Sequence, residues 1–93
     1  MNPKMMLMFE YWKVSFDTSE GCAKKYDGST FETKEDAEIV AALPLGYYGS
    51  KGHSYRHVAE KAPEGVIVWP SAQAWAKNTL TYAEMEKFGL LPK

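Results

Sequence analysis

Two histidines, His53 and His57, are the residues whose spacing comes closest to that of a metal site. Four positions apart on a helix, two imidazoles share one face and suit zinc. Ser54, however, is the N-cap of the helix that the pattern predicts here, which leaves His53 outside it. The nearest acid is Glu60 and the chain has a single cysteine, so nothing completes a four-ligand site. We predict no metal and no cofactor.

The single cysteine, Cys22, could act as a nucleophile with a histidine as its base. It follows the turn-forming residues 17–21 (DTSEG), and we identify no residue that would orient the base. Asp17 and Asp27 have no better support as an acid–base pair. The acids at positions 32–38 favour a solvated helix start, where the helix dipole stabilises them. We therefore predict no catalytic site and no enzymatic activity.

The most specific motif is the loop Gly49-Ser50-Lys51-Gly52. Two glycines let a backbone come close to phosphates, and Lys51 supplies positive charge. A helix that followed the loop would also point its free amides at an anion. The structural alternative is that these glycines only shape a connecting loop, because short motifs of this kind arise easily by chance.

The segment 47–58 resembles the signature of the KH nucleic-acid-binding module. Two bulky residues, Tyr47 and Tyr48, precede the glycine loop, and apolar spacing resumes at Tyr55 and Val58. The resemblance implies the prokaryotic element order of hairpin, helix, loop, helix and strand, and a function in binding single-stranded nucleic acid. The residues that it assigns to this binding are Gly49, Ser50, Lys51, Gly52 and Arg56.

Aromatic side chains suggest a different function. Thirteen of the 93 residues are Trp, Tyr or Phe, more than a core of this size needs, and exposed Tyr and Trp favour contact with protein partners. We expect Trp75 to lie in the core. The residues that we assign to a protein-binding surface, by analogy with the composition of interface hot spots, are Tyr11, Tyr47, Tyr48, Tyr55 and Arg56.

Binding of another protein is the function that we favour, with single-stranded nucleic acid as the alternative. The small size, the lack of a catalytic set and a strand hairpin that leads into a capped helix resemble the short host-takeover and anti-defence proteins of phages. That likeness is one of class, and it implies an inhibitor of a host protein. We expect a monomer or a homodimer.

Composition sets further bounds. A chain of 93 residues with 45% hydrophobic and 25% charged residues is typical of one globular domain, which would span residues 1–93. The formal charge of −1 provides no general attraction to a polyanion. A lone cysteine indicates a reducing, cytoplasmic setting. The apolar run at positions 5–9 is too short for a signal sequence or a membrane span.

The pattern predicts an α+β fold with a small antiparallel sheet. Four apolar residues at 66–69 favour a buried central strand over residues 65–69. Met8, Trp12, Val14 and Phe16 predict one buried face of a strand, with Tyr11, Lys13 and Ser15 opposite. A second strand at about 24–32 would complete a hairpin, and Asp27-Gly28 indicates a bulge or bend within it.

Three to four short helices complete the expected fold. Thr33 and Asp36 would cap a helix that ends at Leu43 and buries Ile39, Val40 and Leu43. Ser54, Tyr55, Val58, Ala59 and Ala62 favour a helix over residues 54–62, with a strand as the alternative. Ser71 would cap a third helix. Thr81 and Glu84 form a capping box for a fourth, Leu80 can pack on Met85, and Gly89 lets Leu90 fold back.

Overall fold

The computed structural model describes residues 8–18 and 26–91. These residues form a four-stranded sheet packed with three α-helices, which confirms the predicted α+β class. A single 3₁₀ turn in this part of the chain spans Tyr47–Gly49. In chain order the elements are β1 (Phe9–Ser15), β2 (Thr30–Phe31), α1 (Lys34–Ala41), β3 (His53–Ala59), β4 (Val68–Trp69), α2 (Ala72–Thr79) and α3 (Tyr82–Lys87).

The sheet has the order β3-β1-β2-β4 and is mixed. β1 is antiparallel to both β3 and β2, whereas β2 and β4 run parallel, so the prediction of a purely antiparallel sheet is wrong. The longest ladder joins β1 to β3 over seven residue pairs, from Phe9 opposite Ala59 to Ser15 opposite His53.

The predicted helix over residues 54–62 is wrong, since β3 occupies most of this segment. That prediction was based on the helical spacing of Tyr55, Val58 and Ala59. The backbone N–H and C=O groups of this segment instead form hydrogen bonds by pairing along the whole length of β1. The KH-type element order depended on a helix immediately after the glycine loop. In this protein a strand follows the loop.

The prediction of a buried central strand over residues 65–69 is also wrong. Only Val68 and Trp69 are in a strand, β4, which lies at the edge of the sheet beside β2. Val66 and Ile67 are 48% and 61% exposed. Gly65 has a φ of 73°, so the backbone turns just before them and they do not extend the strand.

The predicted bend at Asp27-Gly28 is confirmed as a bulge opposite β1. The Val14 N–H donates to the Ser29 carbonyl (2.8 Å), while the Val14 carbonyl accepts from the Gly28 N–H (2.9 Å). Gly28 and Ser29 thus both lie opposite Val14, which is the pattern of a β-bulge, and Gly28 has a φ of 85°. The regular part of the predicted second strand is only Thr30–Phe31, and positions 24 and 25 lie outside the described residues.

The core lies between one face of the sheet and helices α1 and α2. Val14 and Phe31 on the sheet are fully buried, as are Val40 on α1 and, to 1% exposure, Trp75 on α2. The Trp75 indole N–H donates to the Ser29 hydroxyl (2.8 Å), so the buried ring keeps a polar partner. The expected core position of Trp75 is therefore confirmed.

Ile39, which was expected to face the core with Val40 and Leu43, is 46% exposed. The helix instead turns Ala37, Val40 and Ala41 inward. α1 ends at Ala41, two residues before the predicted end at Leu43, although Leu43 is still buried.

The helix starts agree with the predicted caps. The Thr33 and Ser71 hydroxyls accept from the amides of Asp36 (3.3 Å) and Ala74 (3.0 Å), and Thr81 with Glu84 forms the full capping box of α3. At the other end of α3, the Leu90 N–H donates to the Met85 carbonyl (2.8 Å) beyond Gly89, whose φ is 72°. Leu90 thus folds back as predicted.

None of the helices described over residues 8–18 and 26–91 combines the length and apolar character required to cross a membrane.

Candidate protein-binding surface

One face of the β1–β3 ladder carries aromatic side chains and packs against none of the described helices. Trp12 and Val14 point toward the helices, as the buried state of Val14 and the position of the Lys34 ammonium 5.8 Å from the Trp12 ring centre show. Alternate residues therefore point to the opposite side. We call this side the open face, and its side chains are Phe9, Tyr11, Lys13, Ser15, His53, Tyr55, His57 and Ala59.

Four rings form a continuous row on the open face. Tyr11 is directly opposite His57, and their rings stack with centres 5.1 Å apart and planes at 10°. Phe9 contacts Tyr11 at 6.0 Å, and Tyr55 contacts His57 at 5.2 Å, both in tilted arrangements. The cross-strand Tyr11–His57 pair stabilises the sheet, and the contacts along each strand help to hold the other two rings in position. The row is therefore a pre-organised apolar surface.

One polar atom of the row, the Nε2 of His57, lies in an unfavourable environment. The Nε2 atom of His57 is shielded from solvent and has no hydrogen-bond partner among the described residues. A buried polar atom without a partner costs stability. An apolar ring of similar size at position 57 would avoid this cost.

Charge on the open face is of one sign. Among its eight side chains Lys13 is the only Lys or Arg, and none is Asp or Glu. Toward β2 the same side of the sheet is covered, since Thr30, opposite Lys13, is only 2% exposed. A hollow of about 320 Å³ lies there, lined in part by Thr30, Val66 and Ile67. On this side of the described sheet, the open face is therefore limited to β1 and β3.

The structure brings two of the five predicted protein-binding residues together. Tyr11 and Tyr55 lie on the open face, on adjacent strands, and Tyr55 is 42% exposed. Arg56 points to the opposite side of β3, where its Nε lies 3.0 Å from a carboxylate oxygen of Glu10. The Arg56 side chain therefore does not belong to the open face and pairs with Glu10 on the other side of the sheet.

Tyr47 and Tyr48 lie in the 3₁₀ turn next to the end of β1. The Tyr47 N–H donates to the Asp17 carbonyl (2.7 Å), two residues beyond Ser15. The two rings contact each other at 4.3 Å, and Tyr48 is 92% exposed. Its φ of 58° is rare for a bulky side chain, and such strain is often found at functional positions.

The glycine loop has a structural explanation. The N–H groups of Gly49, Ser50 and Gly52 donate to carbonyls within the protein, so they are not free to hold a phosphate. A Cβ on Gly52 would lie 2.6 Å from the Ser15 carbonyl oxygen, which makes glycine necessary where this loop crosses β1. Of the predicted phosphate contacts, only the exposed Lys51 remains available as proposed.

The two histidines are on one face of β3, four residues apart, which separates them by about 13 Å. Over residues 8–18 and 26–91 no three His, Cys, Asp or Glu side chains are grouped closely enough to hold a metal ion. Cys22 lies outside the described residues. Asp27 accepts a hydrogen bond from the Phe16 N–H (2.9 Å) and so has a structural role.

Sequence reasoning missed Phe9 and His57 as members of the aromatic row. The signal was present in β3, where His53, Tyr55 and His57 alternate along a strand. It was hidden because the same residues were interpreted at helical spacing. Only the register between β1 and β3 places His57 against Tyr11.

Comparison of the chain with protein-family models, with curated proteins and with solved structures found no match.

Proposed function

We propose that this protein is a non-catalytic interaction protein that binds another protein through the open face and modulates that partner by occupying its surface. The observation that carries the proposal is the row of four contacting rings on a sheet face that none of the described helices covers. Aromatic residues in fixed positions lose little conformational entropy on binding and dominate the energy of many interfaces. The lone cysteine supports a cytoplasmic setting for this interaction.

The position of Tyr48 supports the proposal further. The Tyr48 ring is almost fully exposed and its backbone is in a left-handed conformation, so this residue does not stabilise the core. It lies in the turn that is hydrogen-bonded to the end of β1, so a partner that covers the Ser15 end of the open face could also reach it. Tyr48 is therefore included in the proposed interface.

Single-stranded nucleic acid is the competing ligand, because bases also stack on aromatic rings. The amides of the glycine loop that would hold phosphates are occupied, and the chain carries a formal charge of −1. A binder of single strands depends on a basic groove that follows the phosphates. These observations favour a protein partner.

The test uses a double variant, Tyr11→Ser with Tyr55→Ser, and a matched control, Tyr82→Ser. Tyr82 is 71% exposed and lies on α3, away from the sheet. Immobilised wild-type protein is used to capture a partner from a lysate of the cells in which the protein naturally occurs. The dissociation constant of that partner is then measured for each variant. We expect the double variant to bind about 30-fold more weakly or worse, equivalent to about 2 kcal/mol, and the control to bind normally.

Circular dichroism confirms that each variant is folded before binding is measured. A labelled single-stranded oligonucleotide serves as the competing probe at physiological salt. Micromolar binding of this oligonucleotide that is lost in the double variant, with no protein captured, would replace the proposal with the nucleic-acid function. The partner's own activity, with and without the protein, reports whether binding is inhibitory.

A further inference from the structure

The outer edge of β3 has no neighbouring strand among the described residues. β3 is the last strand of the described sheet, and its partner there is β1. In the parts of the chain that the structure describes, no backbone hydrogen bond joins this outer edge to any other segment. Seven residues of exposed strand edge are a ready template for an added strand.

The hydrogen-bond pattern identifies which backbone groups point outward. Val14 exchanges bonds with the β2 side, through the Ser29 carbonyl and the Gly28 amide. Because strand residues alternate, Tyr11 and Lys13 direct their backbone groups toward β3. Their partners in register, His57 and Tyr55, must therefore face β1. The residues that present N–H and C=O groups to solvent are Ser54, Arg56 and Val58.

This edge is basic although the whole chain is not. Residues 51–61 contain three basic side chains, Lys51, Arg56 and Lys61, and one acid, Glu60, which gives a formal charge of 3 − 1 = +2. Glu10 pairs with Arg56, and Glu38, which lines a hollow with Lys51 and Ser54, pairs with Lys34. If both ion pairs are counted, the charge is still 4 − 3 = +1. A second copy of the chain would meet the same positive segment, whereas an acidic strand would be attracted to it.

We infer that the partner protein contributes an extended acidic segment, which adds as a fifth strand along the outer edge of β3. Main-chain hydrogen bonds to Ser54, Arg56 and Val58 hold the segment, and its carboxylates lie near the basic side chains. Side chains on one side of the added strand continue the open face beside Tyr55 and His57. This inference rests on the proposed function, and it specifies the chemistry and binding mode of the partner.

The probe is a synthetic seven-residue peptide, Thr-Glu-Val-Glu-Val-Glu-Thr with blocked ends, and the control peptide has Lys in place of each Glu. Amide hydrogen exchange of the protein is followed by NMR. We expect the acidic peptide to slow exchange at the amides of Ser54, Arg56 and Val58 by about tenfold when the edge is about nine-tenths occupied, since only free molecules exchange. The alternate amides of Tyr55 and His57 should be unaffected, as should the whole strand with the lysine peptide.

Two variants separate edge pairing from general attraction. Ser54→Pro removes an outward N–H without breaking a bond to β1, which an edge strand tolerates, and we expect about tenfold weaker binding of the acidic peptide. Ser54→Ala keeps the N–H and should bind normally. Should Ser54→Pro fail to fold, Arg56→Glu is the second variant, and it should shift the preference toward the lysine peptide.

Equal effects of both peptides, no slowing at the three outward amides, or normal binding by Ser54→Pro would each overturn the inference. The captured partner then distinguishes the two proposals. Loss of that partner in the Tyr11/Tyr55 double variant with full retention in Ser54→Pro would leave the proposed function in place and refute the edge pairing. Retention in both would refute both.

Discussion

At the scale of single residues, His57 combines a favourable ring contact with an unpaired polar atom. Its ring stacks on Tyr11, but its Nε2 is shielded and unpartnered among the described residues. An unsatisfied buried polar atom costs about 1–3 kcal/mol, whereas the ring contact itself is favourable. A phenylalanine would keep the contact and remove the unpaired nitrogen.

We therefore expect His57→Phe to raise the free energy of unfolding by about 1 kcal/mol, measured by urea denaturation. His53→Phe is the matched control, since His53 is exposed on the same face of the same strand. This control should change stability by less than about 0.5 kcal/mol. A loss of stability in His57→Phe would mean that Nε2 has a partner in solution.

At the scale of elements, Asp36 connects the starts of two helices. One oxygen of its carboxylate accepts from the Thr33 hydroxyl (2.6 Å) at the start of α1, and the other accepts from the Ala72 N–H (3.0 Å) at the start of α2. A free helix-end amide is thereby satisfied by a side chain from another element. Asp36 therefore helps to hold α1 and α2 against the sheet together.

We expect Asp36→Ala to lower the free energy of unfolding by about 2 kcal/mol, because the carboxylate bonds to the Thr33 hydroxyl and to the Ala72 N–H are both lost. Asp36→Asn should lose about half as much, since its amide oxygen can still accept from Ala72. Glu35→Ala, an exposed neighbour in the same helical turn, is the control and should cost under about 0.5 kcal/mol. Chemical denaturation measures all three, and an equal loss in the control would refute the linking role.

The elements also differ in how far the sequence could predict them. The caps at Thr33, Ser71 and Thr81 are local, because each joins residues only three positions apart, and all three were predicted. The burial of Val14 and Phe16 was predicted too, but Met8, which was expected on the same face, is 44% exposed. Local patterns of this kind are set by neighbouring residues alone.

The strand β3 could not be predicted in the same way. Its helix-side residues Ser54, Arg56 and Val58 are not uniformly apolar, because an edge strand is only partly covered, so the period-two signal is weak. Conversely, the apolar run at 66–69 gave a strong strand signal but lies at the sheet edge. Of the candidate surface, Tyr11 and Tyr55 were predicted individually, but their association with His57 depends on register between distant segments.

At the scale of the whole molecule, charge placement matters more than total charge. A formal charge of −1 is too small to keep copies of the chain apart by general repulsion. In the part of the chain that the structure describes, the seven-residue strand β3 nevertheless has an unpaired edge beside an aromatic surface. Basic side chains along an edge strand are a known means of preventing edge-to-edge pairing. We attribute this protective role to Lys51 and Lys61, which flank β3.

The double variant Lys51→Gln with Lys61→Gln should therefore self-associate through paired β3 edges, while the wild-type protein stays monomeric under the same conditions. Lys77→Gln with Lys87→Gln is the matched control, since these lysines lie on α2 and α3 and the formal charge becomes −3 in both cases (−1 − 2). Sedimentation equilibrium at physiological salt measures the mass. Association of both double variants would assign the effect to total charge, and a monomeric Lys51/Lys61 variant would show that these lysines do not protect the edge.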